Sequence, residues 1–218
     1  MVPVLLCDLD DTLVSRRSTF ARWADAYLTE LGAPEDVAWF VEIDDDGTRP
    51  RDEFYRLVID RYGLAETTES LAERYYRDFV SSFRCEPEVI AALQDARKAG
   101  FKVAIVTNGG ARAQPIKIAA AGLGDFVDAS CISEAEGYWK PAVELFELAA
   151  QRCGCSLDGA WMIGDNPVAD IGGAIACGAR SVWIRMGRTW PEDLGYRPDF
   201  EADEFHEAVS IVLQQITP

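Results

Sequence analysis

The 218-residue chain carries 37 acidic against 21 basic side chains, a formal net charge of −16. That balance argues against nucleic acid as a partner, since phosphate-backbone binding needs clustered Lys and Arg, but it admits small phosphorylated molecules wherever a metal offsets the local acids. The length can bury a real core, and 49% hydrophobic with 27% charged residues is ordinary for a globular enzyme.

The six cysteines are scattered through apolar patterns, the habit of buried thiols in a reducing compartment. Cys153-Gly154-Cys155 lacks a second ligand pair and the single histidine, His206, lies far away in sequence, so no zinc site is expected. The N-terminus has no basic region and its apolar run stops at Asp8, which fits neither a signal peptide nor a membrane span. The expectation is a cytoplasmic protein with no membrane partner.

Val4 to Cys7 read as a buried strand, which delivers Asp8 and Asp10 at its end. A long helical stretch follows. Phe20, Trp23, Ala24, Tyr27, Leu28 and Leu31 recur at helical spacing up to Gly32, a C-cap residue. A shorter helix is expected around Val37 to Ile43, then a turn at Asp44-Asp45-Asp46-Gly47. Phe54, Leu57, Val58 and Tyr62 mark a third helix stopped by Gly63, and Leu71, Tyr75, Phe79 and Phe83 a fourth. No strand is expected between about 14 and 86, so residues 14–86 are assigned to an all-helical insert, with 1–13 and 87–218 as the α/β core.

From Glu86 helix and strand alternate. The expected elements are a helix at Val89 to Ala99, a strand at Lys102 to Val106 and a helix at Gln114 to Ala121. Then come a strand at Ala129 to Ile132, a helix opened by Pro141, a strand at Ala160 to Ile163, a helix to Cys177, a strand at Ser181 to Ile184 and a closing helix from Phe205 to Gln215. Such alternation implies a parallel sheet covered on both faces, a Rossmann-like α/β fold.

Four features sit just after apolar segments: Asp8 with Asp10, Thr107 with Asn108, Lys140, and Asp165 with Asp170. Each has an ordinary explanation alone. Asp165 could cap a helix, Asp170 could be a first-turn acid, Lys140 could be a solvated lysine, and Thr107 could simply begin a loop. Open parallel sheets, however, bind ligands outside the carboxyl ends of their strands. That rule gathers all four into one crevice.

Asp8-Leu9-Asp10-Asp11-Thr12, Val106-Thr107-Asn108-Gly109, Lys140-Pro141 and Gly164-Asp165 with Asp170 resemble, in order and spacing, the four motifs of the haloacid dehalogenase superfamily. The helical insert resembles its first-type cap. The run from Thr107 through Gln114, Gly122-Leu123, Ile132-Ser133-Glu134 and Gly137 to Lys140-Pro141 is most similar to the phosphatase branch, closest to nucleotidase-like members. Ala142-Val143 after Lys-Pro departs from the Asp-Pro of many relatives.

The resemblance implies a Mg²⁺-dependent phosphatase acting on a small phosphorylated metabolite. Asp8 would be the nucleophile that forms an aspartyl-phosphate, and Asp10 the general acid and base. Mg²⁺ would be held by the Asp8 carboxylate, the Asp10 backbone carbonyl and Asp165. Thr107 and Asn108 would hold phosphoryl oxygens, Lys140 would offset charge, and Asp170 would support Lys140 or the metal's waters. In the cap, Arg16, Arg17, Ser18, Arg22 and Arg49 are candidates for a second anionic group. A phosphomutase, a 2-haloacid dehalogenase and, more distantly, a phospho-accepting signalling module stay open at this point, as do the substrate and the oligomeric state.

Overall fold

A computed structural model describes residues 2–216 of the chain. The first strand, β1 (Val4–Cys7), is buried at every position, as an unbroken apolar run requires when both faces of a strand are covered. After the turn at Leu9 to Val14 come four helices: α1 (Arg16–Leu31), α2 (Val37–Asp44), α3 (Arg51–Tyr62) and α4 (Thr68–Asp78). The rest alternates: α5 (Pro87–Lys98), β2 (Lys102–Thr107), α6 (Ala113–Ala120), β3 (Ala129–Ile132), α7 (Ser133–Glu136), α8 (Val143–Arg152) and β4 (Trp161–Gly164). A π-helical turn at Pro167–Gly172 leads into α9 (Gly173–Ala176), followed by β5 (Arg180–Ile184), β6 (Phe200–Ala202) and α10 (Phe205–Ile216).

The chain divides into two compact units, Met1–Val14 with Arg84–Pro218, and Ser15–Phe83. In the first, six strands pair in the order β3-β2-β1-β4-β5-β6, all parallel. The order reverses direction between β1 and β4, the switch point at which such sheets open a crevice. One side of the sheet packs Val4, Leu6, Ala104, Val106 and Met162 against Leu145, Phe146 and Ala149 of α8. The first unit also holds the two points where the chain leaves and rejoins it: Cys85 Sγ donates to the Leu13 carbonyl at 3.5 Å.

The second unit has its own core. Phe20, Tyr27, Phe40, Phe54 and Phe79 are almost fully buried, with ring centroids 5.4 Å apart for Phe20 and Phe79 and 5.2 Å for Phe40 and Phe54. Arg16, Thr19 and Asp44 are its buried polar residues; Asp44 accepts from Arg16 at 2.9 Å and Arg51 at 2.8 Å. A buried carboxylate needs such partners.

Several local expectations change. Pro141 does not open a helix. It lies in a loop, because the backbone around it is committed elsewhere: Lys140 N donates to Asn108 Oδ1 at 2.8 Å and Ala142 N closes a turn on Trp139 O at 2.8 Å. Helix α8 starts at Val143 instead, so Lys140 precedes it by a loop. Asp44 is the last residue of α2, while the reversal falls on Asp45 and Asp46 at positive φ. Helix α4 stops at Asp78, before Phe79. Strand β6 and the one-turn helix α7 were not expected; at three and four residues they are too short to show a period. Among the described residues no helix is long and apolar enough to cross a membrane.

Candidate active site

Strand β1 runs out at Cys7, and Asp8 N donates to Ile163 O of β4 at 3.0 Å, fixing the next residue to the neighbouring strand end. The chain then turns tightly: Leu13 N and Val14 N both donate to Leu9 O, at 3.0 and 3.1 Å. Asp11 takes a left-handed conformation, φ 60°, which Asp tolerates better than bulkier residues. Leu9, Leu13 and Val14 are buried and anchor the loop. Asp8 and Asp10 are thereby held at the carboxyl end of the sheet, beside Thr107 from β2 and Asp165 after β4.

The centre of the site is an ion triad. Lys140 Nζ donates to Asp8 Oδ1 at 2.6 Å, to Asp170 Oδ1 at 2.7 Å and to the Val106 carbonyl at 2.7 Å. All three of its protons are used, and none of the three side chains is more than 9% exposed. Burial pushes the Lys140 ammonium down, but Asp170 and Asp8 more than offset it, so Lys140 stays charged. Burial drives Asp8 well above the ordinary carboxylate range; Lys140 pulls it back, and Asp170 and Asp165 add repulsion.

Asp170 does fall in the first turn of the π-helical segment, but it is fully buried rather than solvated. Its second oxygen, Oδ2, accepts from Asn166 N at 2.9 Å, and Gly164 is required beside it, because a Cβ there would run into the Asp170 carboxylate. Asp165 does not cap a helix. Asn166 does, its Oδ1 accepting from Val168 N and Ala169 N at 3.0 and 2.9 Å. Asp165 instead accepts on Oδ2 from Arg188 at 2.9 Å, while its carbonyl takes Trp183 Nε1 and Arg188, each at 2.8 Å. Burial, then repulsion from Asp170, lifts its carboxyl to about 6 despite Arg188.

Carboxylate oxygens of Asp8, Asp165 and Asp170 lie within 4.8 Å of one another. Both oxygens of Asp170 are engaged, as described. Among the described residues Asp8 Oδ2 and Asp165 Oδ1 accept no hydrogen bond, and neither is sealed from solvent. Two uncommitted hard oxygens from two strand ends are what a Mg²⁺-like ion requires, with water or substrate filling its other positions. The donor set fits such an ion.

Thr107, Asn108 and Asp10 join the same cluster. The Asn108 side chain clamps the Lys140 backbone in both directions, donating from Nδ2 to Lys140 O at 3.0 Å and accepting from Lys140 N. The neighbouring loop is tied to the end of β3, where Ser133 Oγ accepts from Gly109 N at 2.9 Å. Asp10 accepts on both oxygens from Lys117, at 2.8 and 2.7 Å, and on Oδ2 from Gln114 at 3.0 Å. Lys117 and Arg188 were not anticipated. The signal for Lys117 was present as Gln-x-x-Lys on one helix face directly after Thr107-Asn108-Gly109, whereas nothing local marks Arg188.

The cap candidates have partners inside the helical unit. Arg16 pairs with Asp44, Arg17 with Asp46 at 3.2 Å, and Arg49 with Glu53 and the Ile43 carbonyl. Arg22 donates to Ser18 Oγ at 3.4 Å and Thr19 Oγ1 at 3.1 Å, and Ser18 donates to Ser15.

Residues 2–178 match the family model of haloacid dehalogenase-like hydrolases. Over 158 residues the chain is 34% identical to the phosphoserine phosphatase of Thermus thermophilus, covering 72% of this chain and 63% of that one. Over 229 aligned residues it is 30% identical to the glyceraldehyde 3-phosphate phosphatase of Methanopyrus kandleri, covering 97% of each. In three dimensions it is similar to the magnesium-bound HAD-hydrolase YfnB of Bacillus subtilis, with a TM-score of 0.76, 24% identity, and coverage of 96% and 98% of the two chains; that likeness carries the fold. With its core motifs gathered at one sheet end and a family match across most of its length, the chain belongs to the haloacid dehalogenase-like hydrolases.

Proposed function

We propose that this protein is a Mg²⁺-dependent phosphatase that hydrolyses a small phosphomonoester through a covalent intermediate on Asp8. The observation that carries the reading is the buried Asp8–Lys140–Asp170 triad beside the uncommitted oxygens of Asp8 and Asp165. A carboxylate nucleophile facing a phosphate dianion meets repulsion; Lys140 is the buried positive charge the chain sets against it, and the acids around Lys140 leave the remainder to a bound cation. The Asp8 and Asp165 carboxylates with the Asp10 carbonyl would hold the ion, which would supply positive charge against the phosphoryl oxygens.

In the first step the Asp8 carboxylate bonds to phosphorus as the ester P–O bond breaks, and Asp10 gives its proton to the leaving alkoxide. In the second, water attacks the phosphorus of the aspartyl-phosphate. Asp10 takes its proton, and phosphate leaves with Asp8 regenerated. Lys140 stays bonded to Asp8 and balances charge in both steps, while the Thr107 hydroxyl and the Asn108 N–H donate to phosphoryl oxygens. Asp170 keeps Lys140 in place.

The helical unit, 15–83, serves in this reading as the cap that selects a small substrate, and the protein works in the cytoplasm. Nucleoside monophosphates and sugar or glycolate-type phosphates are the substrate classes. The names of the two relatives add three-carbon monoesters to the front of that group. Both relatives are phosphatases by name, which favours hydrolysis over mutase or dehalogenase chemistry. The test is a panel of these esters and a 2-haloacid with Mg²⁺ present, scored by kcat/KM, alongside Asp8→Asn. Free phosphate from at least one ester, lost in the variant, is expected. Halide release, isomerised sugar phosphate without free phosphate, or an active Asp8→Asn would each overturn the reading.

A further inference from the structure

We infer that helix α6 carries two positioning residues, Gln114 and Lys117, which together aim the Asp10 carboxylate and the Thr107 hydroxyl at the reacting phosphate. The inference rests on the phosphatase reading and adds residues that its chemistry has not used.

Gln114 and Lys117 stand three residues apart, one helical turn, and so share a face of α6. Both are buried, at 1% and 5% exposure. Burying a lysine is costly unless its charge is answered, and here both oxygens of Asp10 answer it, at 2.8 and 2.7 Å. A grip on two oxygens sets the plane of the carboxylate as well as its distance. Asp10 follows a strand end in a tight turn, and without that grip its side chain would have rotamers to choose from.

Gln114 links this grip to the phosphate side of the site. Its Nε2 lies 3.0 Å from Asp10 Oδ2 and 2.7 Å from Thr107 Oγ1. The amide presents its NH₂ group, one proton to each partner. The Thr107 oxygen is thereby used as an acceptor, and its own proton must go elsewhere. Among the described residues the acceptor paired with this hydroxyl is the Asn108 carbonyl, at 3.5 Å, beyond ordinary O–H···O distance. The proton is kept for a phosphoryl oxygen.

Gly109 completes the arrangement. A Cβ there would stand 2.7 Å from Gln114 Cδ and 2.9 Å from its Nε2. The glycine after Thr107-Asn108 is therefore needed to let the glutamine side chain cross to both partners.

The experiment is a double-mutant cycle between Lys117→Met and Asp10→Asn, run on an alkyl and an aryl phosphate with Mg²⁺. Met keeps the length of the lysine stem and removes its charge and donors. If Lys117 acts through Asp10, Lys117→Met should lower kcat on the alkyl ester about 10- to 100-fold with little change in KM. The loss should shrink on the aryl ester, whose leaving group needs little protonation. It should also vanish in the Asp10→Asn background, since residues acting as a unit are not additive, and Lys117→Arg should recover most of it. Gln114→Met should raise KM as well, because it also releases Thr107.

Equal losses on both esters, or a full further loss in Asp10→Asn, would overturn the inference while leaving the phosphatase reading intact. A wild-type protein inactive on every ester would overturn both. Should Lys117→Met fail to fold by circular dichroism, Gln114→Met decides in the same cycle: a loss unchanged by Asp10→Asn would overturn the inference.

Discussion

Replacing Lys140 with Met tests how the buried triad is held together. Methionine keeps the stem and most of its volume but leaves Asp8 Oδ1, Asp170 Oδ1 and the Val106 carbonyl, now 2.6, 2.7 and 2.7 Å from the ammonium, without a donor. Two carboxylates whose side chains are 9% and 1% exposed would then face each other with the cation between them gone, the Asn166 N–H on Asp170 Oδ2 remaining. Removing one partner of a buried pair costs about 3–5 kcal/mol, out of a total near 5–15 kcal/mol for a domain. Urea unfolding at pH 7 in chelator, followed by circular dichroism, should show that loss. Asp170→Asn removes one of the two stranded charges, so the double variant should be more stable than Lys140→Met alone. A Lys140→Met protein within about 0.5 kcal/mol of wild type, or losses that simply add, would refute the account, since independent sites add and coupled ones do not.

Three further outcomes concern Gly164, the bound cation and Asp128. Gly164→Ala should abolish activity and cost about 1–3 kcal/mol, because its Cβ must displace the Asp170 carboxylate; an active variant would mean that Asp170 need not hold Lys140. Mg²⁺ at a hundredfold excess over its Kd should stabilise the protein by about 2.7 kcal/mol, a rise of roughly 5–10 °C in Tm for a chain of this size. A chelator should reverse the rise and Asp165→Asn should abolish most of it, as scanning calorimetry would show. Asp128 accepts from Lys102 Nζ at 2.7 Å and Val103 N at 2.9 Å. Burial pushes its carboxyl up, but those partners outweigh burial and hold it below the usual range. Its contribution is thus present above the unfolded pKa near 3.9 and is lost as the pH falls through the lower folded value. Asp128→Ala should cost about 1.5–3 kcal/mol at pH 7 and progressively less below pH 4, read by urea unfolding across that range.

The sheet was legible where strands are buried on both faces. Val4–Cys7 and Lys102–Thr107 are apolar runs that announce themselves and end at the carboxylates and threonine they deliver. Phe200–Ala202 has too few residues for any pattern. Side-chain partnerships across long sequence separations were not legible. The Asn108 amide on the Lys140 backbone spans 32 positions and Lys117 on Asp10 spans 107; the Gln-x-x-Lys spacing puts Lys117 on a face with Gln114, but no local propensity names the distant partner in either case. Asp44 shows the same limit inside the helical unit. In sequence it belongs to a polar turn, yet it is buried because Arg16 and Arg51 answer it from α1 and α3.

The place where the chain leaves and rejoins the sheet-bearing unit bears on how such a protein can evolve. Leu13 and Cys85 touch, so everything between them is an excursion that starts and ends at one spot. Closing a long loop between fixed neighbours grows only slowly more costly with length. The excursion has a core of its own, and Asp8, Asp10, Thr107, Lys140, Asp165 and Asp170 all lie outside it. Insertions, deletions or wholesale repacking within 15–83 leave the register of the six strands untouched. Selection can therefore act on the two parts under separate constraints, holding a small set of polar side chains nearly invariant while the helical part diverges rapidly among descendants.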